Sequence, residues 1–145
     1  MTPTRDDILE KVNKWMTYGD EDLRLAELAV NLSSGCPYRL IAYHAQQCAE
    51  KYIKAFLVFK EIDFPYTHNI SVLLELCPDQ ETWVRDIQDA EDLTIYAVST
   101  RYPDENETIT RQEALDAVVT ATKVRETVRT VLIAAGMNIS NIEPI

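Results

Sequence analysis

Apolar residues return every three or four positions through most of this chain, and only 3 glycines and 6 prolines interrupt them. That spacing lines the apolar side chains along one face of an α-helix, whereas a half-buried strand needs strict alternation, which is nowhere sustained. The fold class expected is all-α. With 145 residues, 46% of them hydrophobic, the chain can close a single core without a metal or a cross-link. One domain is expected over residues 1–145, with 138–145 as a C-terminal tail.

Caps and breakers divide the pattern. A first helix is expected after Thr4, with Asp6 and Asp7 in its positive first turn and Ile8, Val12, Trp15, Leu23, Ala26 and Val30 on one face. It should end near Ser33-Ser34-Gly35, where Gly35 can take the left-handed terminating position and Pro37 can open the next helix. So tight a turn makes helices one and two antiparallel. Helix two is expected from about Tyr38 to Lys60, followed by a loop with Pro65, and a short third helix from Asn69 to the block at Cys77-Pro78. A fourth helix after Asp79 would carry Trp83, Ile87, Ala90, Leu93, Tyr96 and Ala97 and stop at Arg101-Tyr102-Pro103-Asp104. Thr110 and Glu113 form a capping box for the last helix, whose expected stripe is Leu115, Val118, Ala121, Val128, Val131 and Leu132, ending at Gly136. Four long helices plus a short one describe an up-and-down four-helix bundle with an additional short helix.

Charge and cysteine usage exclude several functions. Fourteen Lys and Arg against 24 Asp and Glu give a net charge of -10, the wrong sign for sequence-independent grip on a phosphate backbone, so only a local basic patch would serve nucleic acid. Cys36, Cys48 and Cys77 show no C-x-x-C spacing, which fits free thiols in a reducing cytoplasm better than a disulfide framework or zinc site. The mixed charges of MTPTRDDILEKVNKW do not read as an export signal, and no run approaches the roughly 18 apolar residues of a membrane span. A cytoplasmic location is expected. Gly-rich phosphate loops, nucleophile elbows and H-E-x-x-H motifs are absent, and no cofactor or metal is expected. The run Asp86, Asp89, Glu91, Asp92 reads as a solvated acidic face, because it lacks a His or a partner carboxylate on another helix.

Two clusters carry chemistry. In helix two, His44, Gln47, Lys51 and Lys54 fall in one band beside the apolar face. They read either as a solvated flank with a Glu50 to Lys54 ion pair or as a groove for a phosphate or nucleobase. At the end of helix four, Arg101 offers a planar fork for a phosphate or carboxylate, and Tyr96 and Tyr102 offer ring faces for stacking, with Asp104 close by. The plainer reading is a helix C-terminus whose Arg satisfies the last carbonyls. Between helix two and the end of helix four, phosphate donors, a base-reading Gln and stacking rings would meet, which places the candidate ligand site there; the competing reading is an intramolecular polar network tying two helices. His68, ahead of the capping Asn69, reads as a turn residue.

Asp22-Leu23 with Ala26, then His44-Ala45-Gln46-Gln47 with Glu50-Lys51 and Lys54-Ala55, then His68-Asn69-Ile70, then Arg101-Tyr102-Pro103-Asp104 follow one another in register over nearly the whole chain. In this the sequence resembles the HEPN domain family, named for higher eukaryotes and prokaryotes nucleotide-binding. The resemblance implies an all-α bundle that commonly forms a homodimer and is often encoded beside a minimal nucleotidyltransferase, as in HEPN/MNT toxin and antitoxin pairs. RNA-cleaving members commonly carry Arg, four to six arbitrary residues, then His. Here Arg101 is followed at 106–108 by Asn106, Glu107 and Thr108, so the His is missing, and its help is typically worth about a hundred- to ten-thousand-fold. The resemblance is thus to the non-nuclease, RYPD-containing branch, with RNA not expected as a partner. Expected of it is a binding module for a nucleotide or phosphorylated ligand, or a partner to a separately encoded nucleotidyltransferase, since the G-S-x-x-x-G-x-x-x-S-D-x-D signature of that enzyme is absent here. The alternatives are a divergent ribonuclease using Arg101 with Asp104 or a His across a dimer interface, and a purely structural scaffold.

Overall fold

Thr4 begins the first helix through a reciprocal cap: its hydroxyl accepts from the Asp7 amide at 3.1 Å and the Asp7 carboxylate accepts from the Thr4 amide at 3.0 Å. The computed structural model describes residues 2–98 and 108–139. In it α1 (Arg5–Val30) buries Ile8, Val12, Met16, Leu23 and Ala26, and Gly35 turns the chain with φ +65°. Helix α1 stops a few residues before the expected end, at the Asn31 cap. Helix α2 (Tyr38–Phe59) then runs antiparallel to it: Arg5 donates to the Phe59 carbonyl at 3.2 Å, Asp20 meets Tyr52, and Ala26 packs with Ile41.

Helix α3 (Ile70–Glu75) is short and capped by Asn69, whose side-chain oxygen accepts from the amides of Ser71 at 2.9 Å and Val72 at 3.4 Å. The expected fourth helix is a different object. Thr82–Leu93 is a 3-10 helix, broken at Ile87 (φ -118°, ψ 21°), and only Thr94–Val98 is the α-helix α4. The reason is in the spacing: Val84, Ile87, Ala90 and Leu93 recur every third residue, the period at which a 3-10 helix stacks its side chains. Ile87, Ala90 and Leu93 are buried, while Asp86, Asp89 and Asp92 make an exposed ridge. Trp83 packs edge-on against Phe56, with ring centroids 4.8 Å apart.

Helix α5 (Arg111–Ala134) starts at the expected Thr110–Glu113 capping box and runs parallel to α2, since Ala114 joins Ala26 and Ile41 at one end and Arg125 reaches Asp20 further along. Its buried face is Ala114, Ala117, Ala121, Val124, Val128 and Leu132. That stripe is rotated from the expected one: Leu115, Val118 and Val131 are only half-buried, because the alanines let the helix sit close and take the innermost positions. Among the described residues there is no strand, and no helix is long and apolar enough to cross a membrane. The molecule is an all-α bundle with α2 as its central post.

Candidate functional site

Helix α2 is covered on nearly every side, so its polar residues lie inside the bundle. Gln46, Gln47, Glu50 and Lys54 are all buried. A buried polar group without a partner loses about 1–3 kcal/mol, and these four avoid that by pairing with one another and with a loop. The Glu50 carboxylate accepts from Gln46 Nε2 at 3.0 Å, from Lys54 Nζ at 3.1 Å and from His68 Nδ1 at 2.9 Å. Gln46 also donates to the His68 carbonyl at 3.3 Å, and its oxygen accepts from Gln47 Nε2 at 2.7 Å. The Lys54 ammonium sits 5.3 Å from the Trp15 ring centroid and 5.7 Å from that of Phe64.

On the α1 side of the same band, Asp22 takes two partners. His44 Nδ1 lies 2.8 Å from one carboxylate oxygen, and Lys51 Nζ bonds the other. Facing carboxylates, the Nδ1 atoms of His44 and His68 are the donors, which leaves each ring's Nε2 on the far side from its carboxylate. Both imidazoles keep a quarter of their surface exposed, and Lys51 keeps 21%. Two positions earlier along the chain, Asp20 ties three helices: its Oδ1 accepts from the Tyr52 hydroxyl of α2 and from Arg125 Nε of α5 at 2.7 Å. Burial and that hydrogen bond raise the Tyr52 pKa above its ordinary value. The Cys48 thiol, between these two nodes, is likewise pushed up by burial, with Asp20 and Asp22 adding to the effect.

The sequence candidates therefore separate into groups. His44 and Lys51 meet at Asp22; Gln47 and Lys54 belong to the Glu50 network; Tyr96 stands half-buried on α4, where burial raises its pKa and the charges of Glu113, Asp116 and Asp92 add to it. Arg101, Tyr102 and Asp104 lie outside the described residues. Helix α4 does reach the α2 network's neighbourhood, since the Thr94 hydroxyl accepts from the Ile70 amide at 3.1 Å, two residues beyond His68. Composition and spacing missed Asp20, Tyr52 and Arg125 as a polar node, because Tyr52 reads as one more apolar residue and Arg125 is 105 positions from Asp20. Among the described residues no three His, Cys, Asp or Glu side chains group as a metal site.

A family model for the HEPN domain matches residues 12–131. The chain belongs to the HEPN domain family. Among solved structures, the HEPN chain is similar to the Thermus thermophilus protein TT1696, with a TM-score of 0.70 and 27% identity over 83% of this chain and 97% of that one. It is also similar to ST0689, described as an archaeal HEPN homologue, with a TM-score of 0.65 and 27% identity over the same shares of each chain. Comparison with curated proteins yields no match. The matched HEPN span contains Asp20 and Asp22 of α1, the whole α2 band and Arg125 of α5.

Proposed function

We propose that this HEPN protein is a non-cleaving binding module that works as a homodimer and holds a nucleotide or another phosphorylated ligand, or presents substrate to a nucleotidyltransferase carried on a separate chain. The observation that carries the reading is chemical: Arg101 is followed at 106–108 by Asn106, Glu107 and Thr108, and both histidines of the chain are held by carboxylates of the bundle, His44 by Asp22 and His68 by Glu50. No His therefore stands four to six intervening residues beyond Arg101, and His44, which follows Arg39 at a similar spacing, is held by Asp22. The partly exposed edge of the α2 band, His44 with Lys51, is the part within reach of a ligand, and Tyr96 with the Arg101-Tyr102-Pro103-Asp104 segment that follows α4 in the chain would complete the site. A specific observation favours the structural reading for the other two: Gln47 and Lys54 are buried and already bonded within the bundle.

The test pairs two measurements on one set of variants. Lys51→Ala and Arg101→Ala are expected to weaken nucleotide or nucleotidyltransferase binding about tenfold each in calorimetry, the loss of one charge-assisted contact, while changing the melting temperature by a few degrees at most. Light scattering at micromolar concentration should give twice the chain mass, and single-stranded RNA incubated with chelator should remain intact. Variants that lose stability with binding unchanged or undetectable refute the ligand site, and RNA cleavage abolished by Arg101→Ala refutes the non-cleaving reading.

A further inference from the structure

Six lysines occur in the chain, and four of them lie within 4.0 Å of a carboxylate: Lys51 with Asp22, Lys54 with Glu50, Lys60 with Glu81 and Lys123 with Asp89. Lys11 and Lys14 have no ion-pair partner among the described residues, and both line the same groove. In a protein of net charge -10 that pairing of two unneutralised cations is informative. The groove has a volume of about 680 Å³, within the range of small-molecule sites, and lies between the first half of α1 and the chain leaving α2.

Its chemistry is arranged by wall. Lys11 and Lys14 come from α1 at i and i+3, with Trp15 beside them, so ammonium groups and an indole face share one side; the Asp7 carboxylate one turn earlier lines the same wall and is engaged by the Thr4 amide. Phe64 packs edge-on against the indole, its ring centroid 6.4 Å from that of Trp15 and inclined at 65°, so the pair forms one aromatic wall. Glu61 and Asp63 line the opposite, loop-borne wall and are exposed, with Lys60 already engaged by Glu81. That wall is set by an unusual backbone: Glu61 terminates α2 in the left-handed region at φ 57°, among the described residues the one non-glycine with positive φ. Ile62 N donates to the Leu57 carbonyl at 2.9 Å and Glu61 N to that of Val58 at 3.0 Å, a helix terminator that glycine normally occupies. A non-glycine residue kept in that conformation at the wall of a cavity is the kind of local strain that marks working sites.

We infer that this groove binds a bipolar aromatic small molecule, its ring against Trp15 and Phe64, its anionic group toward Lys11 and Lys14, and its amino edge toward Glu61 and Asp63. None of these residues belongs to the α2 band, although Lys54 of that band lies over the same Trp15 and Phe64 rings and so adjoins the groove. Both a nucleoside monophosphate with an amino-bearing base and a free aromatic amino acid have this chemistry: ring, anion and amino group.

Calorimetry on the full chain distinguishes them, using AMP and L-tyrosine as probes. At least one is expected to bind saturably at millimolar concentration or below. If AMP is the one, adenosine, which lacks the anion, and IMP, which carries a carbonyl in place of the amino group, bind at least tenfold more weakly; if L-tyrosine is, its amide and its N-acetyl derivative fall by the same factor. Lys11 and Lys14 are exposed, so the double variant Lys11→Gln/Lys14→Gln folds normally and is expected to lose the anion preference. Asp63→Asn is expected to lose the amino preference. Failure of both probes overturns the inference. So does binding that survives the Lys11→Gln/Lys14→Gln change and is lost in Lys51→Ala, because the ligand is then held by the α2 band.

Discussion

Removing the Asp20 carboxylate should be among the most damaging polar changes in this protein. Asp20 Oδ1 is where α1, α2 and α5 meet, accepting from the Tyr52 hydroxyl and from Arg125 Nε. The Asp20 and Arg125 side chains are 18% and 11% exposed, so solvent replaces little of what is lost. Without the carboxylate, the Tyr52 hydroxyl keeps only its interaction with Arg129, and the Arg125 guanidinium keeps Glu126, whose side chain is 64% exposed. A charge-assisted hydrogen bond contributes about 1.5–3 kcal/mol and breaking a buried ion pair costs about 3–5 kcal/mol. Partial exposure puts Asp20→Ala near the lower end, at about 3 kcal/mol. For a chain of this length that is a fall in melting temperature of about 6–12 °C. Tyr52→Phe, which removes one hydroxyl and leaves the Asp20–Arg125 pair, should cost about 1 kcal/mol. The two changes share a partner, so the double variant should lose less than the two losses added together. Urea denaturation with constant m-value is the assay. An Asp20→Ala protein within about 0.5 kcal/mol of the parent would refute the claim that this node is desolvated and structural.

Three further outcomes follow from geometry. Glu61→Gly should stabilise the fold by about 0.5–1 kcal/mol, because it relieves a left-handed backbone at φ 57°; an unchanged or lower urea midpoint would contradict this. Gly19→Ala should destabilise by about 1 kcal/mol even though alanine favours helix, since the new Cβ would stand 3.0 Å from Tyr52 Cδ2, on a fully buried ring fixed by Asp20, and overpacking of about 1–3 kcal/mol outweighs a propensity gain of about 1 kcal/mol. A higher urea midpoint would show that the ring yields. Burial pushes the Cys77 thiol up to about 12 and also raises Cys48 and Tyr52. The folded state keeps these protons where the unfolded chain releases them, so stability is intact below about pH 8.5 and declines as pH rises toward 12. Urea midpoints taken from neutral to strongly alkaline pH should show that decline, lessened at its lower end in Cys48→Ala/Cys77→Ala, and a flat profile would remove the argument.

Much of the fold was legible because helix ends are local. Thr4, Asn69 and Thr110 announce their roles within three or four residues, and each caps the helix its neighbourhood implies, whereas Gly35 turns the chain four residues beyond the Asn31 cap that ends α1. The candidate site was legible only as a band. Sequence spacing shows that His44, Gln47, Lys51 and Lys54 share a side of α2, but how many neighbours cover that side depends on α1 and the His68 loop, which are distant in sequence. The 3-10 segment was legible in principle, since Val84, Ile87, Ala90 and Leu93 repeat every three residues; a helical reading absorbs that repeat because three is also a permitted α-helical step. The alanine face of α5 was obscured by its own composition, as hydrophobicity weights Leu115 above Ala114, whereas close approach selects the smaller side chain. The groove at Lys11 and Lys14 had no sequence signal beyond two lysines beside a tryptophan, because its second wall is made by a helix terminator at Glu61 that no glycine advertises.

The parallel placement of α5 beside α2 has a consequence for how the chain reaches its native state. Helices α1 and α2 are joined by a short turn through Gly35, so their contacts form at little loop-closure entropy. Helix α5 can add its alanine face only after the whole stretch from Lys60 to Thr110 has folded back, and Arg125 finds Asp20 across 105 positions. The hairpin of α1 and α2 is thereby expected to form early and α5 to dock late. In stopped-flow refolding, Val12→Ala in α1 should then slow folding, whereas Val124→Ala in α5 should leave the folding rate nearly unchanged and speed unfolding; the reverse pattern would place the nucleus at the other end of the chain.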